Sequence, residues 1–327
     1  MQKSRLGLSL EYILTREDWL MIALKRPLLM MSLTVLAACA QTPDPEEKIL
    51  QTDRVAADIG DLTQDGQSVA KLQTPPGFKQ GDKLVTYEGP GWESDKVGFR
   101  LYLDNRNALD IFGKKTDGLI LKSVGRGEDY HEMSDWGMDI LKVNNSLGAG
   151  GFGVYENEAV RQIGKAESYS AEIIKDSLTQ ASIRVTHTQS EACENDVSAT
   201  YSIQAGQRLS RINVQNSCVL PYAAGLIIHP NTSSIISEDT GAWRYKARYG
   251  VQSLVPDSLG LALFYRAEDI TLAGADEDDD YIVFKPSVAP DYFTAAAWEQ
   301  EKGGLKTKQA FTEWLEETQA RLNKTYP

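Results

Sequence analysis

The chain has 327 residues, a formal net charge of −12, and 42% apolar against 24% charged residues. That length and apolar content are enough for one large core, and the acidic balance excludes recruitment of nucleic acid through its phosphates. The three cysteines lack the spacing of a structural zinc site, so a cysteine-based metal centre is excluded too.

In chain order the first element is an export signal. Lys25 and Arg26 precede an apolar run from Leu28 to Ala38, which ends in Leu36-Ala37-Ala38-Cys39. The run falls short of the ~20 apolar residues that a membrane-spanning helix needs. Glu11, Arg16, Glu17 and Asp18 are unlike a signal n-region, so Met21 reads as the true start. Leu-Ala-Ala-Cys resembles the bacterial lipoprotein box. That resemblance implies lipid on Cys39, hence a membrane partner, and loss of residues 1–38. No Asp follows Cys39 directly, which by analogy with lipoprotein sorting favours the outer membrane. Residues 39–76 read as a lipidated N-terminus and a polar, proline-bearing tether that orders only in part. Residues 77–327 read as a single enzyme domain.

The body is patterned for strands. Candidates are Leu84–Tyr87, Val97–Leu103, Tyr169–Ile174, Ala181–His187, Val197–Ile203, Leu209–Val214, Ala223–His229, Leu261–Tyr265 and Tyr281–Phe284. Ile183 and Val185 alternate with polar neighbours, and Ala205-Gly206-Gln207 predicts a hairpin turn. Short strands at regular spacing predict a mainly β fold, an antiparallel β-sandwich. Phe293–Trp298 predicts a short helix. Phe311, Trp314, Leu315 and Leu322 predict a longer one from near Thr307, packed outside the sandwich. The acidic run 276–280 reads as a solvated loop, and Gly148–Gly153 as a tight loop beside a cleft. Cys193 and Cys218 are even in number in an oxidising compartment; a disulfide between adjacent strands and two buried thiols both stay open.

The densest chemistry lies between Tyr87 and Gly153, where aromatic, acidic, basic and glycine residues interleave. A sugar site needs flat aromatic faces beside hydrogen-bonding groups, which points to a carbohydrate-active enzyme. His131 is the first choice for proton transfer, with Asp135 or Glu132 orienting its ring. His229 closes an apolar strand next to a loop, and His187 reads as structural. Arg248 reads as a clamp for a carboxylate, because a guanidinium fork bonds both oxygens. His229 and Tyr249 read as the proton-transfer partners of His131; Tyr245 could take the place of Tyr249 and otherwise reads as a substrate contact. Trp92 and Trp136 are the stacking candidates, and Glu93 and Arg100 are further substrate contacts. No cofactor is called for, although zinc or calcium on His131, His229 and a carboxylate stays open. The phosphate-loop and serine-elbow patterns are absent.

Gly89-Pro-Gly-Trp-Glu-Ser-Asp-Lys96, Tyr102-Leu-Asp-Asn-Arg-Asn-Ala108, Asp110-Ile-Phe-Gly-Lys-Lys115 and His131-Glu-Met-Ser-Asp-Trp-Gly-Met-Asp139 together resemble the bacterial family named domain of unknown function 4861. The resemblance covers about residues 80–320. It implies a place in the breakdown of pectin-like and ulvan-like uronic-acid polysaccharides, and an oligosaccharide dehydratase activity. The hairpin Tyr201–Val214 also looks like a strand pair of galactose-mutarotase-like sandwiches. The expectation is therefore a lyase or dehydratase that acts on uronic-acid oligosaccharides by β-elimination. A glycoside hydrolase using Glu93, Asp95, Glu132 or Asp135, a sugar-binding lipoprotein and an epimerase are the alternatives.

Overall fold

The computed structural model describes residues 54–215, 218–286 and 288–327. The signal sequence, Met21 and Cys39 lie outside these residues. The first strands are β1 (Val55–Asp58), β2 (Gly60–Asp61), β3 (Gln67–Ser68), β4 (Lys71–Gln73), β5 (Gly91–Ser94), β6 (Val97–Leu101) and β7 (Leu109–Lys114). Next come β8 (Gly137–Asp139), β9 (Ala149–Glu156), β10 (Ala159–Arg161), β11 (Ser168–Asp176), β12 (Gln180–Thr188), β13 (Val197–Gln204) and β14 (Leu209–Val214). The last are β15 (Tyr222–Ile227), β16 (Thr232–Ile236), β17 (Trp243–Val251), β18 (Ser258–Arg266), β19 (Ile270–Ala275), β20 (Asp279–Phe284), β21 (Asp291–Trp298) and helix α1 (Lys308–Thr325).

The fold is mainly β and antiparallel. Nine strands form the large sheet, in the order β16-β17-β18-β21-β14-β13-β12-β11-β4. Two five-stranded sheets, β1-β5-β6-β7-β8 and β10-β9-β15-β20-β19, pack on one of its faces. A parallel bridge between Leu109 and Gly148 stitches the two small sheets together. Alternation decides which side chains enter this sandwich: Ile183 and Val185 are buried while Arg184 and Thr186 are only partly so.

The other face of the large sheet carries α1. Thr307 caps the helix by accepting from the Ala310 amide at 3.1 Å. Phe311, Leu315 and Leu322 then bury against Tyr245, Ala247, Tyr249, Ala262 and Phe264. Burying each large apolar side chain contributes ~1.5–3 kcal/mol. Gly260 makes the approach possible, since a Cβ there would stand 2.5 Å from the Phe311 ring.

Several sequence expectations change. Phe293–Trp298 is strand β21, not a helix. Its alanines alternate between the inner core, with Tyr292, Ala296 and Trp298, and the helix-facing core, with Ala295 and Ala297. Two-sided burial overrides alanine's helix preference. Leu84–Tyr87 is no strand; a 3₁₀ turn covers Thr86–Glu88, with Tyr87 at φ 41° and Glu88 at φ 63°. Gly148–Gly153 is no loop, because all but its first residue lie in buried β9. At Gly150 (φ +96°) a Cβ would collide with Thr294. The chain is also ordered well before residue 77: β1 pairs with β5 and β4 with β11. The disulfide forms, but it links the β12–β13 loop at Cys193 to the segment after β14 at Cys218 rather than two adjacent strands.

The acidic run is only partly a loop. Asp279 and Asp280 open β20 and are buried. Both Asp279 oxygens accept from the Leu147 amide at 3.1 Å. Burial nevertheless pushes its pKa up to about 8. The folded chain thus keeps a proton that the unfolded chain, with a carboxyl titrating at about 4, has released. This residue's contribution therefore falls as pH rises between those two values and levels off above. Asp279→Asn removes the dependence. The melting temperature of the variant minus that of wild type is expected to grow from about pH 5 to about pH 8. A flat or shrinking difference in a calorimetric pH series would contradict the assignment.

Candidate functional site

Strands β6 and β7 send Val97, Phe99, Leu101, Leu109 and Ile111 into the sandwich core. The alternate positions, Arg100, Asp110, Phe112 and Lys114, face the other way and are buried as well. What covers them is the β7–β8 connection, residues 115–136. Its Ile120, Leu121, Val124, Tyr130 and Trp136 pack on Phe112 and Tyr87. Arg126 pins this segment, with Nη2 on Asp58 Oδ2 at 2.9 Å and Nε on the Gly66 carbonyl at 2.7 Å. A connection of this length without regular structure is uncommon in a compact domain and is usually functional.

Beneath its edge lies a buried ionic cluster. Arg100 and Asp110 are cross-strand partners. Arg100 Nη2 reaches Asp110 Oδ2 at 2.7 Å, Asp139 Oδ2 at 2.5 Å and the Tyr102 hydroxyl at 2.9 Å. Its Nη1 donates to the Tyr87 carbonyl at 3.0 Å and to the Tyr130 hydroxyl at 3.4 Å. Tyr102 donates to Asp110 at 2.6 Å. Arg106 lies 3.6 Å over the Tyr102 ring and 3.3 Å from Glu88, whose Oε2 is also 3.9 Å from Arg100 Nη1. Arg100 Nε and Asp139 Oδ1 are buried without a hydrogen-bond partner. Glu88 is held in the left-handed region, where a side chain costs of order 1–3 kcal/mol. Such strain and such unpaired groups concentrate at functional sites.

Burial, and then the nearby Asp110, hold Asp139 well above the usual carboxylate range, against the pull of Arg100. Burial raises Tyr130 despite Arg100, which keeps its phenol protonated. Solvent reaches the cluster past His131 and Glu88, whose side chains are 54% and 42% exposed.

His131 lies at the edge of this cluster, with partners other than those expected. Its Nδ1 is 3.0 Å from Asp129 and its Nε2 is 3.5 Å from Asp139. Its ring lies 4.3 Å from that of Tyr130. The expected orienting groups, Asp135 and Glu132, are exposed, and no hydrogen bond joins either side chain to the ring. Trp136 is half-buried edge-on against Phe112, beside the cluster. The other stacking candidate is misplaced: Trp92 is wholly buried between Phe99 and Tyr201 and donates to Ser210 at 2.8 Å. Glu93 is also buried, paired with Lys114 at 2.6 Å and accepting from the Ile120 and Leu121 amides. Asp95 is tied to Arg54 at 2.5 Å and to the Gly206 amide at 2.6 Å.

The expected Arg248–Tyr249 unit splits, because neighbours on a strand face opposite ways. Tyr249 stacks on Phe311 at 5.3 Å and Tyr245 packs on Phe264, both under α1. Arg248 points between the sheets, where it and Lys246 share Asp280 at 3.0 and 2.6 Å. His229 Nε2 donates to the Lys142 carbonyl at 3.1 Å, and burial lowers its pKa. No hydrogen bond or ion pair among the described residues joins His229 or Arg248 to the Arg100 cluster. His187 is core, edge-on to Tyr169, and burial pushes its pKa down to about 4.

Sequence reading missed Asp110, Asp139, Tyr102, Tyr130, Glu88 and Arg106 as site residues. The available signal was alternation: Arg100 and Asp110 stand in the middle of apolar strands, where charges need partners.

The model of a family described as a domain of unknown function, DUF4861, matches residues 37–326. The chain belongs to the DUF4861 family. No curated protein and no solved structure is significantly similar to it. Most of the family motifs quoted from the sequence border one place in the fold, the sheet face under 115–136. Among the described residues of this DUF4861 chain, no group of three His, Cys, Asp or Glu side chains is placed to hold a metal ion.

Arg100→Met would strand two buried carboxylates and is expected to cost about 3–5 kcal/mol in urea unfolding. His131→Ala, at an exposed position, is expected to stay within about 0.5 kcal/mol of wild type. An R100M midpoint equal to wild type would show that the cluster is not buried and paired as described.

Proposed function

We propose that this DUF4861 protein is a lyase or dehydratase that acts on uronic-acid oligosaccharides by β-elimination. The observation that carries the reading is the accessible His131 and the protonated Tyr130 standing side by side over the buried guanidinium of Arg100. Elimination needs a base for the C5 proton, a cation near the carboxylate that acidifies it, and an acid for the oxygen leaving C4. His131 Nε2 takes the proton, with Asp129, 3.0 Å from Nδ1, stabilising the imidazolium that results. The C4–O bond breaks, its electron pair stays on oxygen, and the Tyr130 hydroxyl supplies the proton. A C4=C5 double bond and one molecule of water or alcohol are the products. Arg100 and Arg106 supply positive charge toward the enolate-like intermediate, and Trp136 offers an aromatic face to the sugar. We propose further that lipid on Cys39 holds the enzyme at the outer membrane.

One observation favours hydrolysis as the second reading. Glu88 and Asp139 approach Arg100 from its two ends, and the raised Asp139 suits a general acid.

The test incubates the pure protein with saturated oligosaccharides from pectin, alginate and ulvan and follows ultraviolet absorbance of the new double bond. Absorbance is expected to rise, and His131→Ala is expected to slow the rise by roughly 10²–10⁴-fold. No absorbance on any of these substrates would discard the proposal, and new reducing ends without absorbance would replace it by hydrolysis.

A further inference from the structure

Helix α1 packs on part of the outer face of the large sheet. Its apolar side lies on β17, β18 and β21, and β12–β14 extend beyond it. Between the helix and those strands runs a groove of about 230 Å³. Phe293 and Tyr326 form its aromatic wall, and Ser202, Gln204, Gln207 and Arg211 form part of its polar floor, with Arg321 reaching in from the helix. Asp291 holds Arg211 through Nε at 2.8 Å and Nη2 at 2.6 Å, with the guanidinium 5.9 and 5.7 Å from the two rings.

Three facts single this groove out. Its lining contains two arginines, Arg211 paired with Asp291 and Arg321 without an ion pair among the described residues, in a chain whose net charge is −12. The side chains of Ser202, Gln204, Gln207 and Arg321, and Nη1 of Arg211, have no hydrogen-bond partner among the described residues. Aromatic faces beside free amides, hydroxyls and guanidinium forks are the groups that recognise an anionic sugar. The groove also lies on the opposite side of the sandwich from His131, since α1 and residues 115–136 cover different layers.

We propose that this groove binds an acidic oligosaccharide chain, with Arg321 and Arg211 directed at its anionic groups, as a site separate from the Arg100 cluster. Carboxylate and sulfate ester share the required chemistry. Only the choice of probes rests on the uronate reading above.

The experiment is titration calorimetry of the whole mature chain carrying His131→Ala, so that nothing is turned over, with polygalacturonate, carrageenan and neutral dextran. Binding of polygalacturonate, carrageenan or both, weakening with added salt, is expected, and the pair tells carboxylate from sulfate recognition. Adding Arg321→Glu with Gln204→Ala is expected to weaken binding about tenfold or more, the loss of a charge-assisted contact. The same pair in the wild-type background is expected to leave the melting temperature and the turnover of a short uronate unchanged. Equal binding of dextran, no binding of either anionic chain, or binding unchanged by the pair would overturn the proposal. Loss of binding in the pair without elimination activity in wild type would sink the catalytic reading and leave this one standing.

Discussion

Arg100 and Asp110 face each other across β6 and β7, and Asp139 from β8 closes on the same guanidinium. The three charges lie on the outer side of a sheet and are still removed from water. They can stay there only while residues 115–136 are folded over them, and that segment is held by Phe112, Tyr87 and the Arg126–Asp58 pair. A buried ion cluster is a weak source of stability, since well-packed apolar residues of similar volume often do as well or better. Its presence is better explained by what it does to its neighbours. It fixes Tyr130 and Asp139 beside His131 and keeps positive charge beneath them.

Most of the fold was legible because alternation in β12 and β13 is clean, with polar outer positions and apolar inner ones. It failed where burial is two-sided. In β21 the run Ala295-Ala296-Ala297 faces core on both sides, so no alternation marks it, and alanine suggests helix. β9 was obscured for the related reason that its glycines fit close contacts with Thr294 and with neighbouring backbone. β1 and β4 are short edge strands whose order comes from β5 and β11, partners that no local pattern reveals.

The site was legible in part. Motif density led to the segment that carries the buried cluster, and His131, Arg100 and Trp136 lie in it or beside it. Composition could not distinguish aromatic residues that line a site from those that fill a core, and so Trp92, Tyr245 and Tyr249 were misjudged. Arg248 and Tyr249 are adjacent in sequence, which in a strand guarantees separation to opposite faces. Asp139 escaped notice because its partners Arg100 and Asp110 are 39 and 29 residues away and meet it only through sheet pairing.

In the proposed elimination an imidazole, a phenol and a buried guanidinium at one edge of one sheet must together take a proton from carbon. Turnover in deuterated water, followed by proton magnetic resonance at C5 of a terminal uronate, reads that step directly. Loss of the C5 proton in step with product is expected, slowed by roughly 10²–10⁴-fold in His131→Ala and strongly slowed in Tyr130→Phe. Product formed with the C5 proton retained, or at an unchanged rate in both variants, would contradict that elimination.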